Sequence, residues 1–172
     1  MEKIDRRSRI VVCDSGPLIH LDELECLNLL NDFSKISVPE TVWQEVQKHR
    51  PQALKQKGIM LERTSDPHQD DWEVETTAAL FTLQRGEKEA LYLSRQRINS
   101  LFLTDDTAAR LAAKSLGITV HGTIGILVRS IRQKQKSKQE VADILRKLPQ
   151  RSTLYIKRSF LDDIIKEILD KI

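Results

Sequence analysis

Four short runs rich in β-branched and apolar residues recur along the chain: RIVVC (9–13), ISV (36–38), LFL (101–103) and ITV (118–120). Each is followed by a segment with helical spacing. This alternation constrains the fold more than any other feature, because parallel strands can be joined only by crossovers, and helical crossovers cover both faces of a sheet. Pro17 suits a first helical turn, and Leu18, Leu21, Leu24 and Leu27 of LIHLDELECLNLL follow near-helical spacing. Pro39 opens PETVWQEVQKHR, which stops before Pro51. Residues 72–83, EKEALYLSRQRI (87–98), DTAARLAAKSL with Gly117 at its stop, and TIGILVRSIRQ (123–133) read as further helices. KGIMLER (57–63) holds a short strand, and SDPHQDD (65–71) is a loop by composition. Gln139–Leu148 and Ser159–Ile172 read as two added helices, separated by Pro149 and a short strand at Thr153–Ile156. The expected class is α/β, a three-layer α/β/α arrangement around a central, mainly parallel sheet, with a C-terminal helical extension.

At 172 residues the chain suits one domain, 1–172, since the last 40 residues alone would make a very small core. A hydrophobic fraction of 40% is too high for a disordered chain. Cys13 and Cys26 cannot build a disulfide framework, which points to a reducing cytoplasm. No apolar run approaches the roughly 18–20 residues of a membrane span, and MEKIDRRSRI leads into too short a core for a signal peptide. The net charge of +3 is unevenly spread. Residues 1–128 carry 16 Lys+Arg against 19 Asp+Glu, or −3, and residues 129–172 carry 12 against 6, or +6. The densest basic stretch holds Arg129, Arg132, Lys134, Lys136 and Lys138 without an acid. It is either a solvated helix end or a contact for nucleic-acid phosphates.

The acids are more informative. Asp14 follows the first strand directly, and Asp105 and Asp106 follow LFL after Thr104. Ligand sites in open α/β sheets gather at the carboxyl ends of strands. Helix capping is a sufficient reason for either Asp site alone; together, at equivalent strand ends, they favour function. Glu45 sits only about 60° on the helical wheel from Val42, at the border of the buried face, whereas Glu40 in the first turn has a dipole explanation. Ala90, Leu91, Ser94 and Ile98 fall within about 60° of Glu87, so Glu87 is expected to project inward, and Glu89, about 200° away, to face water. Four sites therefore supply carboxylates: Asp14, Glu45, Glu87 and Asp105/Asp106. Gathered together they would repel unless a divalent cation compensated them, and oxygen-only ligands suit Mg²⁺ or Mn²⁺. Such ions activate water and stabilise charge on a phosphate, which points to phosphodiester hydrolysis.

Other chemistries have weaker support. There is no glycine-rich phosphate loop. His20, His49, His68 and His121 show no paired metal spacing, and His20 reads as a packed or surface histidine. Cys13 reads as core. Ser15 has no evident activating base, so its expected role is to orient the metal site from the turn beside Asp14. Trp43 and Trp72 read as packing residues before base-stacking platforms. A receiver-like phosphoacceptor would need a lysine near a later strand end, where ITVHG offers His121.

VVCDSGPLIHL, VPETVWQEV, LQRGEKEALYLS and LFLTDDTAARLAAKSLGITVHGTIGIL, in this order and spacing, resemble PIN-domain proteins, and most closely their VapC-like branch of prokaryotic toxin nucleases. The match runs from about residue 9 to about 133, which leaves about 134–172 as the extension. The resemblance implies a PIN-like α/β/α fold, an acid cluster binding Mg²⁺ or Mn²⁺, and an endoribonuclease that hydrolyses RNA. It puts the metal ligands at Asp14, Glu45, Glu87 and Asp105, with the alignment through Asp106 left open, and Thr104, Ser15 and Arg110 at supporting positions. Glu87 stands where related toxins often carry Asp. An antitoxin protein and a homodimer are the expected protein partners, and the extension would form a dimer surface, contact substrate or cover the sheet edge. The alternative is a PIN-like nucleic-acid-binding or regulatory module without catalysis.

Overall fold

The computed structural model describes residues 10–65, 70–97 and 99–171. Five parallel strands form one sheet in the order β3-β2-β1-β4-β5, with β1 at Val11–Cys13, β2 at Ile36–Pro39, β3 at Leu61–Thr64, β4 at Leu101–Leu103 and β5 at Thr119–His121. Among the described residues the α-helices are α1 (Ser15–Glu23), α2 (Glu40–His49), α3 (Trp72–Leu80), α4 (Arg85–Arg95), α5 (Thr107–Ser115), α6 (Thr123–Arg132), α7 (Lys138–Arg151) and α8 (Arg158–Lys171). The three-layer α/β/α fold expected from the alternation is the one observed. Among the described residues no helix is long and apolar enough to cross a membrane.

The central strands are short and fully buried, so their side chains divide between the two faces with a period of two. Val11, Cys13, Leu101 and Leu103 face one core, shared with α1, α2, α6, α7 and α8. Val12 and Phe102 face the other, with α3, α4 and α5. Val141, Leu145, Leu148, Leu161, Ile165 and Ile168 of the C-terminal helices belong to the same core as Val11 and Leu18. The C-terminal extension is thus packed into the domain.

Local expectations shift in several places. The leucine-rich helix after Pro17 ends at Glu23; Glu25 takes a left-handed conformation (φ 57°), and a separate 3-10 turn at Leu27–Leu30 buries the remaining leucines. Helix α7 continues through Pro149 to Arg151. Pro149 lies in the last turn, where the lost N–H costs one hydrogen bond, and fully buried Leu148 pins the preceding residue. The expected strand at Thr153–Ile156 is absent because Glu23 takes its backbone: Thr153 N–H donates to Glu23 Oε2 at 2.8 Å, and the hydroxyls of Ser152 and Thr153 bond to the same carboxylate. Trp72 is 73% exposed and is no packing residue, whereas Trp43 packs partly against the core. In the loop 65–71, residues 66–69, including His68, lie outside those described, as do the charged N-terminal residues 1–9.

The topology fixes where a site can form. The chain leaves β1 toward β2 on one side, and β4, the other neighbour of β1, continues to β5 on the opposite side. The carboxyl ends of β1 and β4 therefore flank the switch point, the usual ligand crevice of an open α/β sheet. Helices α1, α2, α5 and α6 begin at strand carboxyl ends, and α4, which runs back toward the start of β4, begins there too.

Candidate acid site at the sheet switch point

Asp14 leaves the end of β1 and caps α1. Its backbone N–H donates to Leu103 O of β4 at 2.9 Å, and its Oδ1 accepts the Ser15 N–H at 2.8 Å. Its Oδ2 accepts the hydroxyl of Thr104 at 3.1 Å. Thr104 is fully buried, and its hydroxyl oxygen also accepts the Asp106 N–H at 3.2 Å. One threonine thus joins the two strand ends through both carboxyl-bearing loops. Arg110, one turn into α5, donates from Nη2 to Thr104 O at 3.0 Å and steadies the same loop. Asp106 caps α5 through the Ala109 N–H at 2.8 Å. The supporting positions expected at Ser15, Thr104 and Arg110 all lie beside these acids.

The electrostatics of the cluster are uncompensated. Asp14 is only 6% exposed. Burial pushes its carboxyl up from 3.8 to about 7, with Glu87 and then Glu45 adding to the rise, against the Ser15 and Thr104 hydrogen bonds. Glu87 of α4 is half-buried and also raised, first by burial and then by Asp106 and Glu45, although its Oε2 accepts the Gln84 N–H at 2.8 Å in a capping box. Glu45 of α2 is exposed and stands close enough to raise both neighbours. Asp14 thus lies within electrostatic reach of Glu87 and Glu45, and Glu87 of Asp106 and Glu45; among the described residues none of the four forms an ion pair with Lys or Arg.

Asp105 has a different environment. Its Oδ1 accepts the Thr123 N–H at 2.7 Å, and its Oδ2 accepts the Thr123 hydroxyl at 2.6 Å and lies 2.7 Å from His20 Nδ1. It faces the start of α6, tying it to α1. His20 and Thr123 are residues that sequence reasoning missed. Gly16 leaves room for this contact: a Cβ there would lie 3.4 Å from Asp105 Cβ and 3.5 Å from His20 Cε1. Gly122 was also missed. A Cβ there would meet Arg110 Nη2 at 2.5 Å, Asp105 Oδ1 at 2.6 Å and Thr104 O at 3.1 Å. Arg110 and Asp105 are both held by hydrogen bonds, so neither yields freely. Gly122→Ala is expected to destabilise the protein by about 1–3 kcal/mol, read as a lower melting temperature at unchanged secondary structure.

Glu89 does not face water, as the helical wheel suggested. It is 5% exposed and bonded to Thr41 and Arg85. Cys13 is a core thiol whose pKa burial pushes well up, which removes it as a nucleophile. The basic stretch starts in the last turn of α6, at Arg129, about 9 Å of helical rise from Thr123. Its first member, Arg129, is already engaged: Nη2 lies 2.6 Å from Asp32 Oδ2, and the guanidinium stacks 4.4 Å from the Phe33 ring.

The fit to a divalent cation can be judged from the donors. All are carboxylate oxygens, the hard ligands that Mg²⁺ and Mn²⁺ prefer, and their shared charge favours a bound cation. Among the described residues, no three Asp, Glu, His or Cys side chains stand close enough to form a ready-made metal cage. The chemistry of the site therefore fits the cation, and its side chains would have to close on it.

A family model described as a PIN domain matches residues 10–170. The chain belongs to the PIN-domain family. The matched span takes in α7 and α8 as well as the acid site, in keeping with the core that these helices share with β1. PIN domains are in general nucleases acting on nucleic acids, and nucleases of this kind usually use divalent metals. No curated protein matches the chain.

Proposed function

We propose that this PIN-domain protein is a cytoplasmic Mg²⁺- or Mn²⁺-dependent endoribonuclease, of the VapC-like kind that acts as the toxin of a toxin–antitoxin pair. The observation that carries this reading is the buried Asp14 carboxyl, raised to about 7 and faced by Glu87 and Glu45, with no Lys or Arg ion pair among the described residues. Asp14, Glu45, Glu87 and Asp106 would hold the metal. Asp105, the other candidate from the sequence, has both oxygens engaged by Thr123 and His20. A bound Mg²⁺ or Mn²⁺ would supply an activated water and charge stabilisation at the phosphoryl group.

The remaining work falls to the chain itself. Ser15 N–H and the Thr104 hydroxyl fix the two oxygens of Asp14. The N-termini of α1, α5 and α6 bring partial positive charge to the crevice, which suits both the carboxylates and a phosphate. The direct test is incubation of the purified chain with labelled single-stranded RNA and with DNA of the same sequence. RNA is expected to be cut with Mn²⁺ and left whole with EDTA. RNA retained without cleavage, together with no Mn²⁺ binding by calorimetry, would favour a non-catalytic binding module. The toxin reading expects growth arrest on induction, relieved by an antitoxin partner, and the dimer reading expects twice the chain mass in light scattering.

With Arg129 engaged by Asp32, Arg132, Lys134, Lys136 and Lys138 are the cations of the basic stretch that would contact RNA phosphates. Reversing two of them, Arg132→Glu with Lys134→Glu, is expected to weaken RNA binding about tenfold or more at low salt and to flatten its salt dependence. Filter binding in EDTA measures this apart from cleavage. Unaltered affinity leaves the stretch a solvated helix end.

A further inference from the structure

Helix α2 carries Glu45, yet its first turn has no cap of its own. The residue before it is Pro39, which makes no side-chain cap bond. The first N–H groups of a helix need partners, and here another helix provides one. Thr41 N–H donates to Glu89 Oε2 at 3.2 Å, and the Thr41 hydroxyl donates to Glu89 Oε1 at 2.8 Å. Arg85, one turn earlier on α4, donates from Nε to the same Oε1 at 2.8 Å. A buried carboxylate at a helix N-terminus is favoured by the helix dipole.

The two helices also touch beside this contact. A Cβ on Gly86 would lie 3.1 Å from Val42 Cγ2, so the glycine admits the first turn of α2 against α4. Gly86 and Glu89 are three residues apart and lie on one side of α4, with Glu87 between them in sequence. Thr41 and Glu45 are four apart, so the clamped residue sits one turn below the acid of α2. The segment Gly86–Glu89 thus divides its labour: the glycine allows close approach, Glu87 borders the acid cluster, and Glu89 grips the neighbouring helix.

We propose that Glu89 is a positioning residue, capping α2 from α4 and so fixing Glu45 relative to Glu87 around Asp14. This rests on the metal-site reading above. If the cap positions Glu45, its loss changes metal affinity and turnover; if it is only a brace, its loss changes melting alone. Trp43, on α2, offers a readout independent of metal in a Trp72→Phe background.

The experiment compares Glu89→Ala, Glu89→Gln and Thr41→Val in the full chain, at a temperature where circular dichroism shows each folded. Glu89→Ala is expected to weaken Mn²⁺ binding by calorimetry and to lower kcat, each about tenfold or more, with KM for RNA within about twofold, and to shift the Trp43 emission. Glu89→Gln keeps one acceptor and is expected to recover much of the loss. Thr41→Val, which removes only the hydroxyl donor, should fall between. A lowered melting temperature with unchanged Mn²⁺ affinity and unchanged Trp43 emission overturns the proposal. If Glu89→Ala does not fold, Thr41→Val decides: unchanged Mn²⁺ affinity overturns it. A wild-type chain that binds no Mn²⁺ defeats the metal-site reading instead, and the clamp then stands or falls on Trp43.

Discussion

Asp14→Asn is expected to abolish metal-dependent RNA cleavage and, in the same protein, to raise stability at alkaline pH. The first effect follows from removing the carboxylate at the centre of the cluster, a loss on the order of 10³ in rate if it contributes as much as a strong charge-stabilising group. The second follows from linkage. The folded carboxyl is raised to about 7 from an ordinary 3.8, chiefly by burial. The folded state therefore holds its proton more tightly than the unfolded chain. The resulting stability is fully present below about pH 4 and is lost as pH rises toward 7. Above that, the metal-free protein carries a buried charge worth on the order of 4 kcal/mol. Asparagine cannot ionise and can still accept the Ser15 N–H. In EDTA at pH 8 the variant should melt well above the wild type; at pH 5 the gap should narrow. Mn²⁺ should raise the wild-type melting temperature and leave the variant unmoved. Retained cleavage by Asp14→Asn defeats the nuclease assignment at this site, and equal melting at pH 8 defeats the electrostatic account.

Much of this was legible in the sequence because the central strands are continuous apolar runs. VVC and LFL end abruptly at polar residues, and a parallel sheet puts such ends side by side, so Asp14 and the Asp105/Asp106 segment were expected at equivalent strand ends across about 90 residues; the Asp14–Thr104 bond that joins them was not. Glu89 was not legible. The wheel assumes one buried face, and α4 buries Gly86 and then Glu89 through Ser94, because it packs against α3 and α5 as well as α2 and the sheet. A polar residue on the nominal solvent face thus met another helix. The Thr153–Ile156 segment alternates as a strand should, yet a single glutamate, Glu23, supplies the hydrogen bond that a ladder would have given. The roles of His20 and Thr123 depend on where α1 and α6 start relative to β4, which is a matter of topology; spacing along the chain does not encode it.

The same topology separates two adjacent aspartates, and the two should fail differently when neutralised. Asp105 receives three contacts at 2.6–2.7 Å, two from Thr123 and one from His20, so its carboxylate ties α6 to α1. Asp106 spends Oδ1 on the Ala109 N–H and acts electrostatically on Glu87. Asp105→Asn replaces one acceptor oxygen by a donor that meets the Thr123 N–H or its hydroxyl, and charged hydrogen bonds are worth about 1.5–3 kcal/mol each. Its melting temperature should fall by several degrees, while Mn²⁺ affinity in the protein that remains folded changes little. Asp106→Asn keeps the cap oxygen and loses only the charge. Its fold should hold, its Mn²⁺ affinity should drop tenfold or more by calorimetry, on the order seen when a metal site loses a supporting group, and RNA cleavage should drop with it. The reverse pattern, with metal affinity lost in Asp105→Asn and melting unchanged, would move the fourth ligand to Asp105 and make the Thr123 and His20 contacts a feature of the metal-free state alone.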